Sequence, residues 1–66
     1  MVKLTLKEYL DAQNVTRYAL SQKAGIRYAI VDNYYKNKVV RYDGDVLDRI
    51  CRALGCQITD ILTYEE

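Results

Sequence analysis

The sequence predicts an all-α domain built from five short helices around a single core. Three observations lead to this prediction. The 66 residues contain no proline, and the three glycines are widely spaced, which favours short helices joined by brief turns. Apolar residues recur at helical spacing, and residues that favour helix caps precede several of these segments. The length allows one domain, which we expect to span residues 1–66.

Composition narrows the class of protein. Apolar residues make up 50% of the chain and charged residues 29%, a balance typical of folded globular domains. The longest apolar run has four residues, which is too short for a membrane span. The N-terminus lacks the apolar region of a signal peptide. We therefore expect a cytoplasmic protein with no membrane contact.

Neither catalysis nor metal binding is indicated. The chain has two cysteines, Cys51 and Cys56, and no histidine, whereas a zinc site needs four ligands. We expect both cysteines to be small core residues. The sequence shows no paired carboxylates on one face and no phosphate-binding loop. We therefore expect no enzyme activity, cofactor, metal or small-molecule ligand.

The first helix is predicted between Thr5 and Gln13. Thr5 and Glu8 have the spacing of a capping box, in which each side chain accepts a hydrogen bond from the other residue's amide. The residues expected to face the core are Leu6, Tyr9 and Leu10.

Two further helices meet at a glycine in the stretch from Thr16 to Asn37. Thr16 is the N-cap candidate of the second helix, and Gly25 supplies the left-handed backbone that ends this helix. The third helix is predicted over residues 27–36, and Asn37 closes it. Two helices that meet at a tight turn are typical of a helix-turn-helix, which places its second helix in the DNA major groove.

The third helix separates an apolar face from a polar face. At about 100° per residue, Val31, Tyr34 and Tyr35 lie on the inner face. The opposite face consists of Ala29, Asp32, Asn33 and Lys36, with Tyr28 at the exposed first turn.

The remaining elements follow from cap residues and apolar spacing. Residues 38–42 are expected to form a loop with one buried valine. Asp43 caps a fourth helix, which Gly55 ends, and a last helix is predicted from the cap Thr59 to about Tyr64. Three of the seven tyrosines are expected to fill the core, namely Tyr9, Tyr18 and Tyr34.

Positive charge is concentrated on the second and third helices. Between Arg17 and Arg41 the balance of charge is +5, with Asp32 as the one acid, while the rest of the chain has a balance of −4. A local basic surface of this kind attracts phosphate groups.

These residues resemble the Cro/C1-type helix-turn-helix family, also called the XRE family. The run ALSQKAGI, residues 19–26, resembles that family's second helix and turn, and Val31 and Tyr34 match buried positions of its recognition helix. Residues 47–62 are similar to the fourth and fifth helices of a compact branch of the family. The resemblance covers about residues 4–64 and implies a five-helix, lambda repressor-like fold. A narrower similarity is to small VanUg-like regulators carried with antibiotic-resistance operons.

The sequence departs from the family pattern at several positions. Arg17 stands where glutamine is usual, and Asn37 stands where glycine is common. Arg27 replaces the usual serine or threonine cap, which predicts a weaker start to the recognition helix. Asp32 places an acid on the side that faces DNA.

The resemblance implies a set of DNA contacts. Asn33 can pair with adenine, Ala29 can contact a thymine methyl group, and Asp32 can accept from cytosine N4. The implied base-reading residues are Arg27, Tyr28, Ala29, Asp32 and Asn33. Phosphates are expected to be held by Thr16, Arg17, Lys36, Lys38 and Arg41.

From this resemblance we expect the protein to be a sequence-specific transcriptional regulator, most simply a repressor. Its expected partner is double-stranded DNA. We expect a homodimer, because one short helix covers only a half-site. Ile61, Leu62 and Tyr64 either form a small dimer surface or only cover the core. The alternative function is a protein-interaction module, an antitoxin or accessory factor that uses Tyr28, Ile30 and the last helix.

Overall fold

The computed structural model describes all 66 residues. It contains four α-helices, a 3-10 turn and a two-stranded antiparallel sheet. None of its helices combines the length and the apolar character that a membrane crossing requires. In chain order the elements are β1 (Val2–Leu4), α1 (Leu6–Gln13), α2 (Arg17–Ala24), α3 (Tyr28–Tyr35), α4 (Gly44–Leu54), the 3-10 turn (Ile58–Asp60) and β2 (Leu62–Tyr64).

The C-terminal segment corrects the predictions of a fifth helix and of an all-α fold. The 3-10 turn and β2 replace the helix predicted over residues 59–64, and β2 pairs with β1. The paired residues are Val2 with Tyr64, Lys3 with Thr63 and Leu4 with Leu62. Valine, threonine and tyrosine favour extended backbone, but neither strand has a partner nearby in the sequence.

The same pairing corrects the capping box predicted at the start of α1. The side chain of Thr5 makes no cap hydrogen bond. Its hydroxyl donates to the carbonyl oxygen of Asp60 at 3.1 Å, and its amide donates to the carbonyl oxygen of Ile61 at 2.8 Å. Thr5 therefore joins the start of α1 to the C-terminal segment.

Four other helix ends are confirmed. The Thr16 hydroxyl accepts from the amide of Ala19 at 3.0 Å. Asp43 accepts from two amides in the first turn of α4, the shorter bond being 2.8 Å. Gly25 and Gly55 end α2 and α4 with φ of 68° and 64°. These signals are local, and so the sequence alone identifies them.

The core lies between the helices and the inner face of the small sheet. Tyr34 is buried as predicted, whereas Tyr18 is 64% exposed, which contradicts its predicted place in the core. The buried face of α2 is formed by Leu20, Ser21 and Ala24, and Tyr18 lies about 200° from Leu20 around the helix. The completely enclosed large side chains are Leu6, Leu10, Leu20, Val31, Ile50 and Ile61.

We expect Gly25→Ala to lower the free energy of unfolding by about 1–2 kcal/mol, because alanine is strained in left-handed backbone. The added Cβ would lie 3.6 Å from the nearest atom, Nη1 of Arg49, so the loss comes from the backbone rather than from a clash. Gly44→Ala is the matched control, since its Cβ would meet nothing within 4 Å. Alanine at this helical position should be neutral or stabilising by up to about 1 kcal/mol. Urea unfolding of both variants measures the difference, and equal effects would contradict this account.

Candidate nucleic-acid interface

The turn between α2 and α3 is held by small residues and by main-chain hydrogen bonds. The carbonyl oxygen of Ser21 accepts from the amides of Gly25 and Ile26, the second at 3.1 Å. Ser21 and Ala24 are both buried, and their small side chains let the two helices approach closely. The inner side of α3 is anchored by Val31 and Tyr34, its two buried residues.

The outer face of α3 carries four of the five predicted base-reading side chains, and all four are exposed to solvent. They are Arg27, Tyr28, Ala29 and Asn33. Arg27 is the N-cap residue and makes no side-chain cap bond, as the departure from serine or threonine predicts. The first turn of α3 therefore has no side chain closing its end.

Asp32, the fifth predicted base-reading residue, lies deeper than the other four. Its side chain is 21% exposed, and both of its oxygens are engaged. Nη1 of Arg17 donates to Oδ1 at 2.5 Å, and Nζ of Lys36 lies 3.0 Å from Oδ2. The bonds from Lys36 and Arg17 hold the pKa of Asp32 below its ordinary value of 3.8. Two of the predicted phosphate contacts are thus paired with one acid of the same surface.

Tyr35 and Asp11 extend this arrangement to α1. The hydroxyl of Tyr35 donates to Oδ1 of Asp11 at 2.9 Å, and Nζ of Lys7 donates to Oδ2 at 2.9 Å. These two bonds, from Lys7 first, hold the pKa of Asp11 below 3.8. The guanidinium of Arg17 lies over the Tyr35 ring, with Cζ 4.4 Å from the ring centre, a favourable cation–π distance. We call Lys7, Asp11, Arg17, Asp32, Tyr35 and Lys36 the polar network.

The sequence gives no sign of Asp11 as a member of this surface or of its bond with Tyr35. Helical periodicity predicts Tyr35 on the inner face, where the residue is half-buried, but no local signal predicts the bond from its hydroxyl to α1. Asp11 shows only an i,i+4 pattern with Lys7, which is common on exposed helices.

The other predicted phosphate contacts lie around the ends of α2 and α3. The hydroxyl of Thr16 is used as the cap of α2. Lys38 and Arg41 are exposed in the loop after α3 and form no salt bridge. This loop begins at Asn37, whose φ of 57° is left-handed as predicted and whose Oδ1 accepts from the amide of Leu4 at 3.1 Å.

The lowered pKa values of Asp11 and Asp32 predict how the stability of the fold changes with pH. Both pKa values are lowered, so their ionised forms stabilise the protein above about pH 4, and this stabilisation is lost as pH falls through the folded-state values. In an Asp11→Asn variant the loss of stability between about pH 5 and pH 3 should be smaller than in the unmodified protein. Urea unfolding at a series of pH values measures this slope. An unchanged slope would show that the Asp11 bonds contribute nothing.

Comparison with known proteins identifies the same helix-turn-helix. The family model of the Cro/C1-type HTH DNA-binding domain matches residues 5–66. No curated protein and no solved structure gives a significant match. The narrower similarity to VanUg-like regulators therefore stays a prediction. The match includes the whole of α2, the turn, α3 and α4, and the chain belongs to the Cro/C1-type helix-turn-helix family of DNA-binding domains.

Proposed function

We propose that this protein is a sequence-specific DNA-binding regulator of transcription, acting in the cytoplasm as a repressor. The observation that carries the proposal is the division of α3 into two sides. Val31 and Tyr34 fix the inner side in the core. On the outer side Arg27, Tyr28 and Asn33 are exposed, and their side chains make no hydrogen bond or salt bridge in the structure. A rigid helix with one free polar face suits insertion into the major groove.

The proposed base contacts lie along this outer face. Asn33 can pair bidentately with adenine, Arg27 can pair with guanine, and Ala29 can contact a thymine methyl group. Tyr28 lies in the first turn beside them. Each good base contact contributes about 1–3 kcal/mol of discrimination. Both oxygens of Asp32 are occupied by Arg17 and Lys36, which argues against acceptance from cytosine N4.

The proposed phosphate contacts surround the same face. Lys38 and Arg41 are free cations in the loop after α3, and the N-terminus of α2 at Thr16 offers backbone amides. Arg17 and Lys36 each keep N–H donors that Asp32 does not use. Contacts of this kind fix the position of a domain on the duplex without reading its sequence.

A homodimer completes the proposal, and β2 is the surface we propose for it. The bonds from the Thr5 amide to Ile61 and from the Glu65 amide to Met1 set the register of the sheet. In this register Leu62 and Tyr64 point their backbone N–H and C=O groups towards the open edge. An open edge strand can pair with a second copy. Ile61 is fully buried, which supports core packing rather than a dimer contact for that residue.

A protein-interaction module remains the second candidate, supported by one observation. Val40 is 92% exposed in the loop after α3, and with Ile30, Val39 and Val46 it lines a shallow hollow. The apolar part of this hollow favours contact with a protein. Asn33 and Lys38 also line it, so the two candidate surfaces overlap. Salt dependence separates the two functions, because phosphate binding weakens as counterions accumulate.

Binding to a selected duplex should weaken roughly 100-fold between about 50 and 200 mM salt if four phosphates are contacted. Asn33→Ala should then cost about 1–3 kcal/mol at one base pair and relax the preference there. Fluorescence anisotropy on a site selected from random oligonucleotides measures both effects.

Gln13→Ala is the matched control, since this exposed amide lies at the end of α1 beside residues of α2 and α4 and not of α3. It should leave both affinity and base preference unchanged. Equal affinity of the unmodified protein for all sequences would remove the base-reading role, and insensitivity to salt would favour the interaction module.

The dimer surface can be tested with Tyr64→Pro. Proline removes the one N–H of Tyr64 that faces the open edge, while the bonds between β1 and β2 stay in place. We expect the concentration needed for dimerisation to rise at least about tenfold, measured by sedimentation equilibrium. Tyr64→Ala is the control for loss of the ring. If the proline and alanine variants dimerise equally well, edge pairing is not the mode of association.

A further inference from the structure

Asp32 holds two of the cations that the proposed phosphate surface depends on. Its Oδ1 accepts from Arg17, which begins α2, and its Oδ2 lies 3.0 Å from Lys36, which follows α3. One carboxylate thus makes the contacts with a guanidinium and an ammonium that a DNA phosphate would make. The local charge of the three residues is +1 rather than +2.

The order of exposure shows how these groups are arranged. The side chain of Asp32 is 21% exposed, that of Arg17 is 33% exposed and that of Lys36 is 46% exposed. The carboxylate is therefore more enclosed than the two cations that it pairs with, and the cations are the more accessible groups for a phosphate. A second constraint keeps Arg17 in place, because its guanidinium lies over Tyr35 and Tyr35 is bonded to Asp11.

We propose that Asp32 is an internal counterion that lowers the affinity of this domain for every duplex, independently of sequence. The inference rests on the proposed function, since it concerns how the same surface meets DNA. Non-specific binding is supplied almost entirely by phosphate contacts. An acid that is paired with two of these cations lowers the non-specific affinity. Base contacts along the rest of α3 then decide which sites are occupied.

This role differs from base reading in a way that can be measured. A base-reading Asp32 would act at one base pair, because acceptance from cytosine N4 is specific to that base. A residue that only positions Arg17 would strengthen binding, so its loss would weaken binding to any duplex. An internal counterion weakens binding to all duplexes equally, so its removal raises the affinity for all of them.

The experiment compares Asp32→Asn with the unmodified protein on a random-sequence duplex and on a selected site. We expect affinity for both duplexes to rise about fivefold at 50 mM salt and the salt dependence to steepen by up to about 0.9, the value for one further phosphate. In an Arg17→Gln background the same change should raise affinity by less than about threefold, because one of the two released cations is then absent. Asp32→Ala removes the same charge and introduces a better helix former, so we expect it to raise the affinity as well.

Asp48→Asn is the matched control. It removes the same charge from another i,i+4 ion pair, the one with Arg52 at 3.2 Å on α4. We expect this variant to change affinity less than about twofold, since α4 is not the proposed DNA surface. An equal rise in this control would show that net charge alone is responsible and would overturn the role of Asp32.

Two further outcomes would also overturn the inference. Weaker or unchanged binding by the folded Asp32 variants would do so, and so would an effect confined to one base pair. Binding of DNA by the unmodified protein, with Asp32 variants that do not gain affinity, contradicts only this inference. Failure of the unmodified protein and all variants to bind any duplex contradicts the proposed function as well.

Discussion

The rest of the structure depends on the anchoring of α3 by Tyr34. Its ring is buried, and its hydroxyl accepts from the amide of Asp43 at 3.0 Å. Asp43 is in turn the cap of α4, and the neighbouring Tyr42 meets Tyr34 edge to face at 6.4 Å between ring centres. One side chain therefore fixes α3, the end of the following loop and the start of α4. With Val31 buried one turn earlier, the inner side of α3 is fixed, and Arg27, Tyr28, Ala29 and Asn33 on its outer side stay exposed to solvent.

The features that the sequence predicts correctly are those whose cause lies within a few residues. The cap at Thr16, the left-handed turns at Gly25 and Asn37 and the cap at Asp43 are each set by neighbouring backbone, and each is present in the structure. The buried side of α3 is also predictable, because helical periodicity places Val31 and Tyr34 together. These local signals are enough to identify the helix-turn-helix.

The features that the sequence does not predict are those in which distant segments compete for the same residue. Thr5 has the sequence of a cap, but Asp60 and Ile61 take its hydrogen bonds. Arg17 and Asp32 are 15 positions apart, so no spacing rule pairs them. The count of charge over the helix pair is correct, yet it does not show which cations are already neutralised. The exposed face of α3 was therefore predictable, while the electrostatic state of that face required the three-dimensional structure.

The meeting of β1 and β2 has a consequence for how the domain assembles. All four helices lie between these two strands in the sequence, so the sheet can form only after the chain has closed a loop that contains them. Closing a long loop carries an entropic cost, whereas α2, the turn and α3 contact one another over short separations. We expect α2 and α3 to order early and the sheet to close late. Until the sheet closes, Leu4 lacks its cross-strand neighbour Leu62.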